Sequence, residues 1–569
     1  MMMNDSMQKD SAIQTEWMQV GDTVYKETEF QTDQQGTCKA EMQEEPVVGH
    51  EADQRLSVHS YTEENIKIGS DLYQERIKEN FHIYGVATFL FACLYAFCMY
   101  RNPSGITYPI FVGAGIAYIN FCLEKLGLVA KKGKKFYTVS MILLAVSTFC
   151  TDDGRIIFFN KLGIFLLTIS MLLWIFFCTE KWNLGKFLHA ICETCLGVLS
   201  EMGTPFTDAA WYVKNKLDKK NGKYLYVLIG LAAAIPLFMV VLLLLTSADI
   251  VFKDMAENLF SGFRFGNIIL TIWLVFFMFF VCYGILVFLC KGSVKEEVKD
   301  KRKGEPLIAI PVAMVLSFIY IVFSGVQILY LFAGNMELPA GYTYAEYARV
   351  GFFQLLAVGV LNLVLVLVGL CYFRPHKALK IILTVMSACT FIMLASSAMR
   401  MIIYIQYYYL TFLRILVLWS LLVLFIIFTG VIVYIYKENF PLFRYSMVVV
   451  TALYLCLSFS HPDYWIAKVN LASSVENRSE FFKGNSYRDY YFLSMLSADA
   501  APVMLDWAEE NGCDLEYYFR CNEGGFDGTA KSCGYLYLEH LKEQVGNITL
   551  RNLNVSRVVA DRMVIWKTE

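Results

Sequence analysis

Long apolar stretches separated by short polar connections fill the chain between Phe81 and Ser460. About eleven are candidates to cross a membrane, a span needing roughly 20 apolar residues for about 30 Å of hydrocarbon. They fall at 81–100, 104–123, 136–150, 156–178, 224–248, 265–290, 306–333, 350–373, 380–399, 415–436 and 444–460. Each is expected to be helical, because lipid offers backbone N–H and C=O groups no partner. The third and the last are short for the hydrocarbon core, so they need flanking residues or longer neighbours. The predicted fold is all-α: a polytopic transmembrane helix bundle over 79–460, an acidic tail over 1–78 before it, and a small, mainly helical extramembrane domain over 461–569.

The polar connections alternate in character. Basic residues gather at Lys125 with Lys131 to Lys135, across Lys214 to Lys223, across Lys291 to Lys303, at Arg374 with Lys377 and Lys380, and at Lys437 with Arg444. The intervening connections are poorer in lysine: Asn102 to Ile106, Asp152 to Arg155, Asp249 to Arg264, Glu337 to Arg349, and the aromatic run Tyr404 to Phe412. With eleven spans the basic set lies on one side, which the positive-inside rule makes cytoplasmic. The N-terminus is then expected inside a cell (plasma) membrane and the C-terminus outside it. Trp182 to Lys223 is the longest basic connection and carries an amphipathic stretch around Leu184 to Leu199. It reads equally as a helix lying in the membrane interface or as one packed on the base of the bundle.

Composition sharpens this picture only in part. With 57% hydrophobic residues, 18% charged residues and a mean hydropathy of +0.47, the chain is too apolar for a single soluble domain. The net charge of -2 says little, because acidic residues crowd the tail while lysines occupy the short connections. Residues 1–75, rich in Gln, Glu, Asp, Thr and Ser, are expected to be disordered, having too little apolar surface to offset ordering entropy. No basic n-region precedes the first span, so that span is expected to act as its own signal. Of the 16 cysteines many lie inside apolar runs, and no CxxC pair suggests zinc or redox chemistry. Cys513, Cys521 and Cys533 fall in the extramembrane region, where one disulfide and one remaining thiol are expected. Helical periodicity returns there in Tyr490, Leu493, Leu496, Val503 and Leu505.

Candidate chemistry concentrates at the lysine-poor helix ends. Glu346 and Arg349, three residues apart, can pair on one helical face, while Tyr344 and Tyr347 place rings at headgroup depth. An aromatic anchor with a local ion pair explains this run as readily as a functional site does. Arg414 interrupts an apolar sequence running from Met401 to Tyr436 and needs a carboxylate, a wet cavity or a route to the interface. Asp249, Tyr344, Glu346, Arg349, Arg400, Tyr404 and Arg414 thus form a candidate charged cluster at one end of the bundle. Most spans lack Asp, Glu, Lys or Arg in their central stretch, which disfavours an ion-coupled carrier. No nucleotide loop or Ser/His/Asp spacing is present, and the seven histidines are scattered. No catalytic, cofactor or metal residues are assigned. Asp463, Asp489 and Asp499 are the carboxylates an enzyme at that face would use, though acidic residues on solvated helices need no chemistry to explain them.

These pieces together resemble the bacterial multi-spanning membrane proteins of domain-of-unknown-function family 4173, with its 4153 relatives. The resemblance rests on Ser247-Ala-Asp-Ile-Val-Phe252, on Thr343-Tyr-Ala-Glu-Tyr-Ala-Arg349 followed by Gly351-Phe-Phe, and on Met399-Arg-Met with Tyr404 and Leu410-Thr-Phe-Leu-Arg414. It continues through Asp463 to Leu471, Asp489-Tyr-Tyr and Leu496-Ser-Ala-Asp-Ala-Ala-Pro502, and covers most of the chain to about Asp506. Two positions depart from it: Ile250 stands where proline is expected, and Tyr409 where a glycine usually precedes Leu-Thr. What the resemblance implies is a bacterial cytoplasmic-membrane protein without a settled activity. The leading expectation is a non-enzymatic envelope sensor or scaffold, embedded in the lipid bilayer, whose tail recruits a protein partner and which binds no nucleic acid. The alternative is a transporter of a small solute or lipid.

Overall fold

The computed structural model describes residues 18–20 and 23–25, most of 72–216, scattered positions of 230–255, and most of 265–294, 302–329, 351–472, 491–513 and 530–568. Met1–Glu64 and Asn65–Glu569 form two separate units. In the first, β1 (Met18–Val20) and β2 (Thr23–Tyr25) pair antiparallel, Gln19 opposite Val24. The expected disorder of 1–75 otherwise concerns positions outside the described residues, except that 72–79 are helical.

Among the described residues the second unit is helical, as the apolar periodicity requires. Its helices are α1 (Phe81–Met99), α2 (Thr107–Leu126), α3 (Lys134–Cys150), α4 (Gly154–Phe176), α5 (Leu184–Ser200), α6 (Thr204–Lys216), α7 (Phe265–Cys290), α8 (Pro306–Gln327), α9 (Phe352–Tyr372), α10 (Lys377–Tyr408), α11 (Phe412–Tyr436) and α12 (Leu442–Ser458). After a bend of 58° follows α13 (Pro462–Ala472), and then a 3-10 turn at Ala498–Ala500 with α14 (Ala501–Glu510), α15 (Ala530–Val545) and α16 (Val555–Thr568).

Eight of these helices are long and apolar enough to cross a membrane: α1, α2, α4 and α7 to α11. The α12–α13 pair makes a ninth if the bent pair is one span. The stretch at 136–150 becomes α3, whose 17 residues reach only about 25 Å at 1.5 Å per residue, short of the hydrocarbon thickness. The stretch at 224–248 lies largely outside the described residues. Apolar side chains also cover the outside of the bundle. On α8, Leu307, Ile308 and Phe318 are all more than 65% exposed, an arrangement that water would penalise and hydrocarbon does not.

Two groups of helices share the bundle. Helices α1 to α7 pack around clusters that include Tyr108, Met141, Leu144, Met171 and Tyr283, and α8 to α11 around Val366, Met386, Met393 and Phe428. Helix α12 packs on both α11 and α3 and so bridges them. Inside this seam Ser458 Oγ donates to Asn160 Oδ1 at 2.7 Å, Tyr454 OH donates to the same oxygen at 2.8 Å, and Ser147 meets Ser458 at 2.5 Å. All but Tyr454 are fully or almost fully buried, so these bonds satisfy polar groups that hydrocarbon could not. Helix α5 packs on the bundle: Phe187, Ala190 and Val198 are buried, Gly197 lies against the Phe288 ring of α7, and Leu188, Leu196 and Leu199 stay uncovered.

The ends of the bundle are chemically distinct. At one, Glu438 pairs with Arg302 at 2.9 Å and Lys380 at 3.0 Å, and Arg374 pairs with Glu305 at 3.0 Å. These pairs tie together three of the basic connections. At the other, the α1–α2, α3–α4 and α10–α11 connections all meet the C-terminal helices, three of the lysine-poor set on one side.

Candidate functional site: a buried ionic junction

The turn Thr151-Asp-Asp-Gly-Arg155 joins two apolar helices with almost no chain to spare, so its charges cannot reach water easily and must be satisfied locally. Asp153 caps α4: Oδ1 accepts from the Arg155 N–H at 2.9 Å and from Arg155 Nε at 2.8 Å. The same guanidinium donates to Asp153 Oδ2 at 2.9 Å, reaches Asp463 at the start of α13, and lies 4.4 Å over the Phe412 ring. Asp463 Oδ2 in turn accepts from the Ser497 N–H at 3.0 Å and its hydroxyl at 2.8 Å. Asp499 Oδ1 accepts from the Asp152 N–H at 2.9 Å, while Oδ2 accepts from the Thr151 hydroxyl and faces His461 Nδ1 at 3.3 Å. From α16, Arg557 Nε donates to Asp152 Oδ1 at 2.7 Å.

Four carboxylates are therefore buried together: Asp152, Asp153, Asp463 and Asp499. Facing them are Arg155, Arg557 and His461, so among the described residues the junction holds one acid more than it has bases. Burial raises the Asp152 carboxyl to about 6, Arg557 only partly opposing and Asp499 adding to it. Burial also acts on Asp499, yet hydrogen bonds from His461, Ser556, Thr151 and the Asp152 N–H outweigh it and leave that carboxyl below its ordinary value. The same bond to Asp499 holds the His461 imidazole above its usual range against the opposing effect of burial. His461 sits at the α12–α13 bend with φ +48°, a left-handed conformation that histidine tolerates better than most residues.

Polar backbone contacts extend the junction. Asn554 Nδ2 donates to the Thr151 carbonyl at 2.8 Å, Ser556 Oγ to that of Cys150 at 2.7 Å, and Tyr537 OH to that of Ser497 at 3.1 Å. The Asn470 amide exchanges two bonds with Leu410, at 2.7 and 2.9 Å, replacing a strand partner for the α10–α11 connection. Leu553 O accepts from the Ile106 N–H at 2.9 Å, and Asn102 Nδ2 donates to Arg551 O at 3.0 Å. The strap before α16 passes so close that a Cβ on Gly105 would lie 2.2 Å from Arg551 O. Gly105→Ala is thus expected to destabilise strap docking by about 1–3 kcal/mol, since backbone rather than a flexible side chain must yield. Faster proteolytic release of the segment after Gly546 measures it, and an unchanged cleavage rate would contradict the stated closeness.

The sequence-derived cluster is partly assembled. Arg400, on α10, is buried, donates to Gln327 Oε1 at 3.2 Å, and passes so close to Gly351 (φ +123°) that a Cβ there would meet its Nη1 at 2.6 Å. Arg414 lies 4.3 Å over the Tyr404 ring and donates to the carbonyl of Tyr409. Tyr409 has φ +73°, which accounts for glycine being the expected residue there. Asp249 is exposed and accepts from the backbone N–H groups of Val251 and Phe252 at 2.7 and 3.2 Å, capping its own chain. Tyr344, Glu346 and Arg349, like Asp489 and Cys521, lie outside the described residues. Cys513 and Cys533 share one buried apolar cluster of the C-terminal domain.

In sequence, Asp152 to Arg155 reads as a plain lysine-poor connection, and Asp463 and Asp499 read either as carboxylates for an enzyme at that face or, more simply, as surface charge. His461 reads there only as one of the scattered histidines beside helix ends, and Asn554, Ser556 and Arg557 carry no signal. The available signal was the density of charge in a five-residue turn between two apolar helices; its partners lie more than 300 positions away. Among the described residues no group of three or more His, Cys, Asp or Glu side chains could hold a metal ion.

A bundle of apolar helices, uncovered hydrophobic surface around it and a polar domain fastened to one end define a multi-pass integral membrane protein. It belongs to the family described as Domain of unknown function (DUF4153), whose match spans residues 138–507, from α3 to α14. Helix α16, which carries Arg557, lies beyond that match. No curated protein and no solved structure matches the chain.

Proposed function

We propose that the chain is a non-enzymatic sensor or scaffold of the bacterial cell envelope, its C-terminal domain outside the cytoplasmic membrane and its tail inside. The observation that supports it is the junction itself: charges from the α3–α4 turn, the α12–α13 bend and α16 are buried together, so the domain cannot shift without disturbing the helices below. Buried ion pairs add little stability over apolar packing but hold one arrangement against others, which suits a coupling element. Asp499→Asn keeps the shape and removes the charge that Thr151, Asp152 and His461 converge upon. Its co-purified proteins should differ from those of the wild type in a set that also disappears on deleting residues 1–75. Identical sets from wild type and Asp499→Asn would remove the coupling role.

The basic ends support this orientation, which has a test of its own. Cys513 and Cys533 are too buried to report on topology, whereas Leu550 is 89% exposed and Asn439 is exposed. In a cysteine-free background, Leu550→Cys should react with a membrane-impermeant maleimide in intact cells, and Asn439→Cys only after lysis. The reverse pattern would invert the orientation. A second reading, a transporter of a small solute or lipid, draws support from the cavity beside Arg414 described next; uptake into proteoliposomes unaffected by Arg414→Ala would count against it.

A further inference from the structure

Between the ends of α9, α10 and α11 lies a cavity of about 270 Å³, walled by Phe352, Phe353, Met401, Tyr404 and Leu413 and floored by Arg414. Its size approaches the roughly 300 Å³ at which small-molecule sites begin. We propose that this cavity binds the headgroup of an anionic phospholipid, with Arg414 meeting the phosphate and the acyl chains lying along the outside of the bundle. The inference goes beyond the sensor reading, because the cavity is lined from α9, α10 and α11 and by none of the junction's charged groups.

Three features converge on that ligand. Arg414 is the one charged side chain among the described residues lining the cavity, and the face of Tyr404 together with the Tyr409 carbonyl sets the plane of its guanidinium. A planar fork of N–H donors in an apolar wall is suited to a phosphate oxygen pair. Second, apolar side chains at the cavity stay uncovered: the lining residues Phe353 and Leu413 are 48% and 55% exposed, and neighbouring Ile402 is 47% exposed. These side chains face the surface that hydrocarbon covers, so a ligand entering there brings apolar chains with it. Third, the depth is right, since Arg414 stands in the first turn of α11, directly after the connection that Asn470 fastens to the C-terminal domain. Among the described lining residues a free phosphate would find one cation and mostly apolar walls, a poor exchange for its water; a lipid adds chain contacts along α9 and α11.

The test uses the full chain in detergent, with native mass spectrometry reading the lipid bound during titration. Dioleoylphosphatidylglycerol should half-saturate one site at a concentration at least tenfold below dioleoylphosphatidylcholine, and a hundredfold excess of glycerol 3-phosphate should not displace it. Arg414→Gln should weaken phosphatidylglycerol at least tenfold and leave phosphatidylcholine unchanged. Leu413→Trp, which fills the cavity and keeps the charge, should do the same and serves where Arg414→Gln fails to fold. Equal affinity for the two lipids, wild-type affinity in either variant, or displacement by glycerol 3-phosphate at stoichiometric concentration would each overturn the proposal, the last by replacing lipid with a free anion.

Discussion

Arg557→Ala should loosen the C-terminal domain by about 3–5 kcal/mol, the usual consequence of stripping one partner from a buried ion pair. The size comes from what is left behind. Asp152 is 7% exposed, its Oδ1 receives Arg557 Nε at 2.7 Å, and Asp499 adds negative charge beside it. With the guanidinium gone, that carboxylate must either stay charged without compensation or take up a proton. The double variant Asp152→Asn with Arg557→Leu removes both charges and should recover most of the loss, because an uncharged amide at the turn requires far less compensation than a lone carboxylate. Hydrogen exchange of α16 in the detergent-solubilised protein measures each variant. A double variant as unstable as the sum of the singles would mean that Arg557 acts through packing rather than charge.

Much of this architecture was legible because lipid imposes simple rules. Apolar length located α1, α2, α4 and α7 to α11, since a helix in hydrocarbon has no other way to satisfy its backbone. The alternation of basic connections also appears as contact: Arg302, Lys380 and Glu438 meet at one end, while Asn102, Asp152 and Leu410 meet the C-terminal helices at the other. Arg400, Tyr404 and Arg414 were visible for a similar reason, charge being conspicuous against an apolar background. The junction was hidden by the opposite circumstance. Asp152 and Arg155 looked like ordinary turn residues, and Asp463 and Asp499 like surface charge, because polar residues outside apolar runs carry no such contrast. Only the chain's return through α13 to α16 turns four scattered acids into one buried group, and no periodicity encodes that return. Helix α3 marks the other edge of that rule: its 17 residues sit at the short end of what a span needs, yet its far end reaches the C-terminal helices through the Asp152 turn.

Raising the pH from about 5 to 8 should weaken the junction, and the direction follows from three groups that act alike, Asp152, His461 and Asp463. Asp152 titrates at about 6 in the folded protein against 3.8 as a free side chain, its folded value being the higher. Its contribution is complete below 3.8 and is lost as pH rises through 6, about 3 kcal/mol in all. His461 is also raised, by its bond to Asp499, so the stability it lends is full below the ordinary histidine value and fades as pH climbs through the higher folded one. Asp499 works the other way, being lowered: what it lends is present above the ordinary aspartate range and fails only in stronger acid. Asp463, raised by burial first and by the neighbouring Asp153 charge next, acts in the same direction as Asp152. The junction should therefore be tightest near pH 4–5 and open progressively toward pH 8. Exchange rates for α16 and for the α12–α13 bend, read between pH 5 and 8, would register this. Asp152→Asn should flatten most of the slope and His461→Gln a smaller part. A wild-type profile that is level or rises across this range would show that Arg557 keeps Asp152 ionised in the fold, and the excess acid of the junction would then need a cation other than a proton.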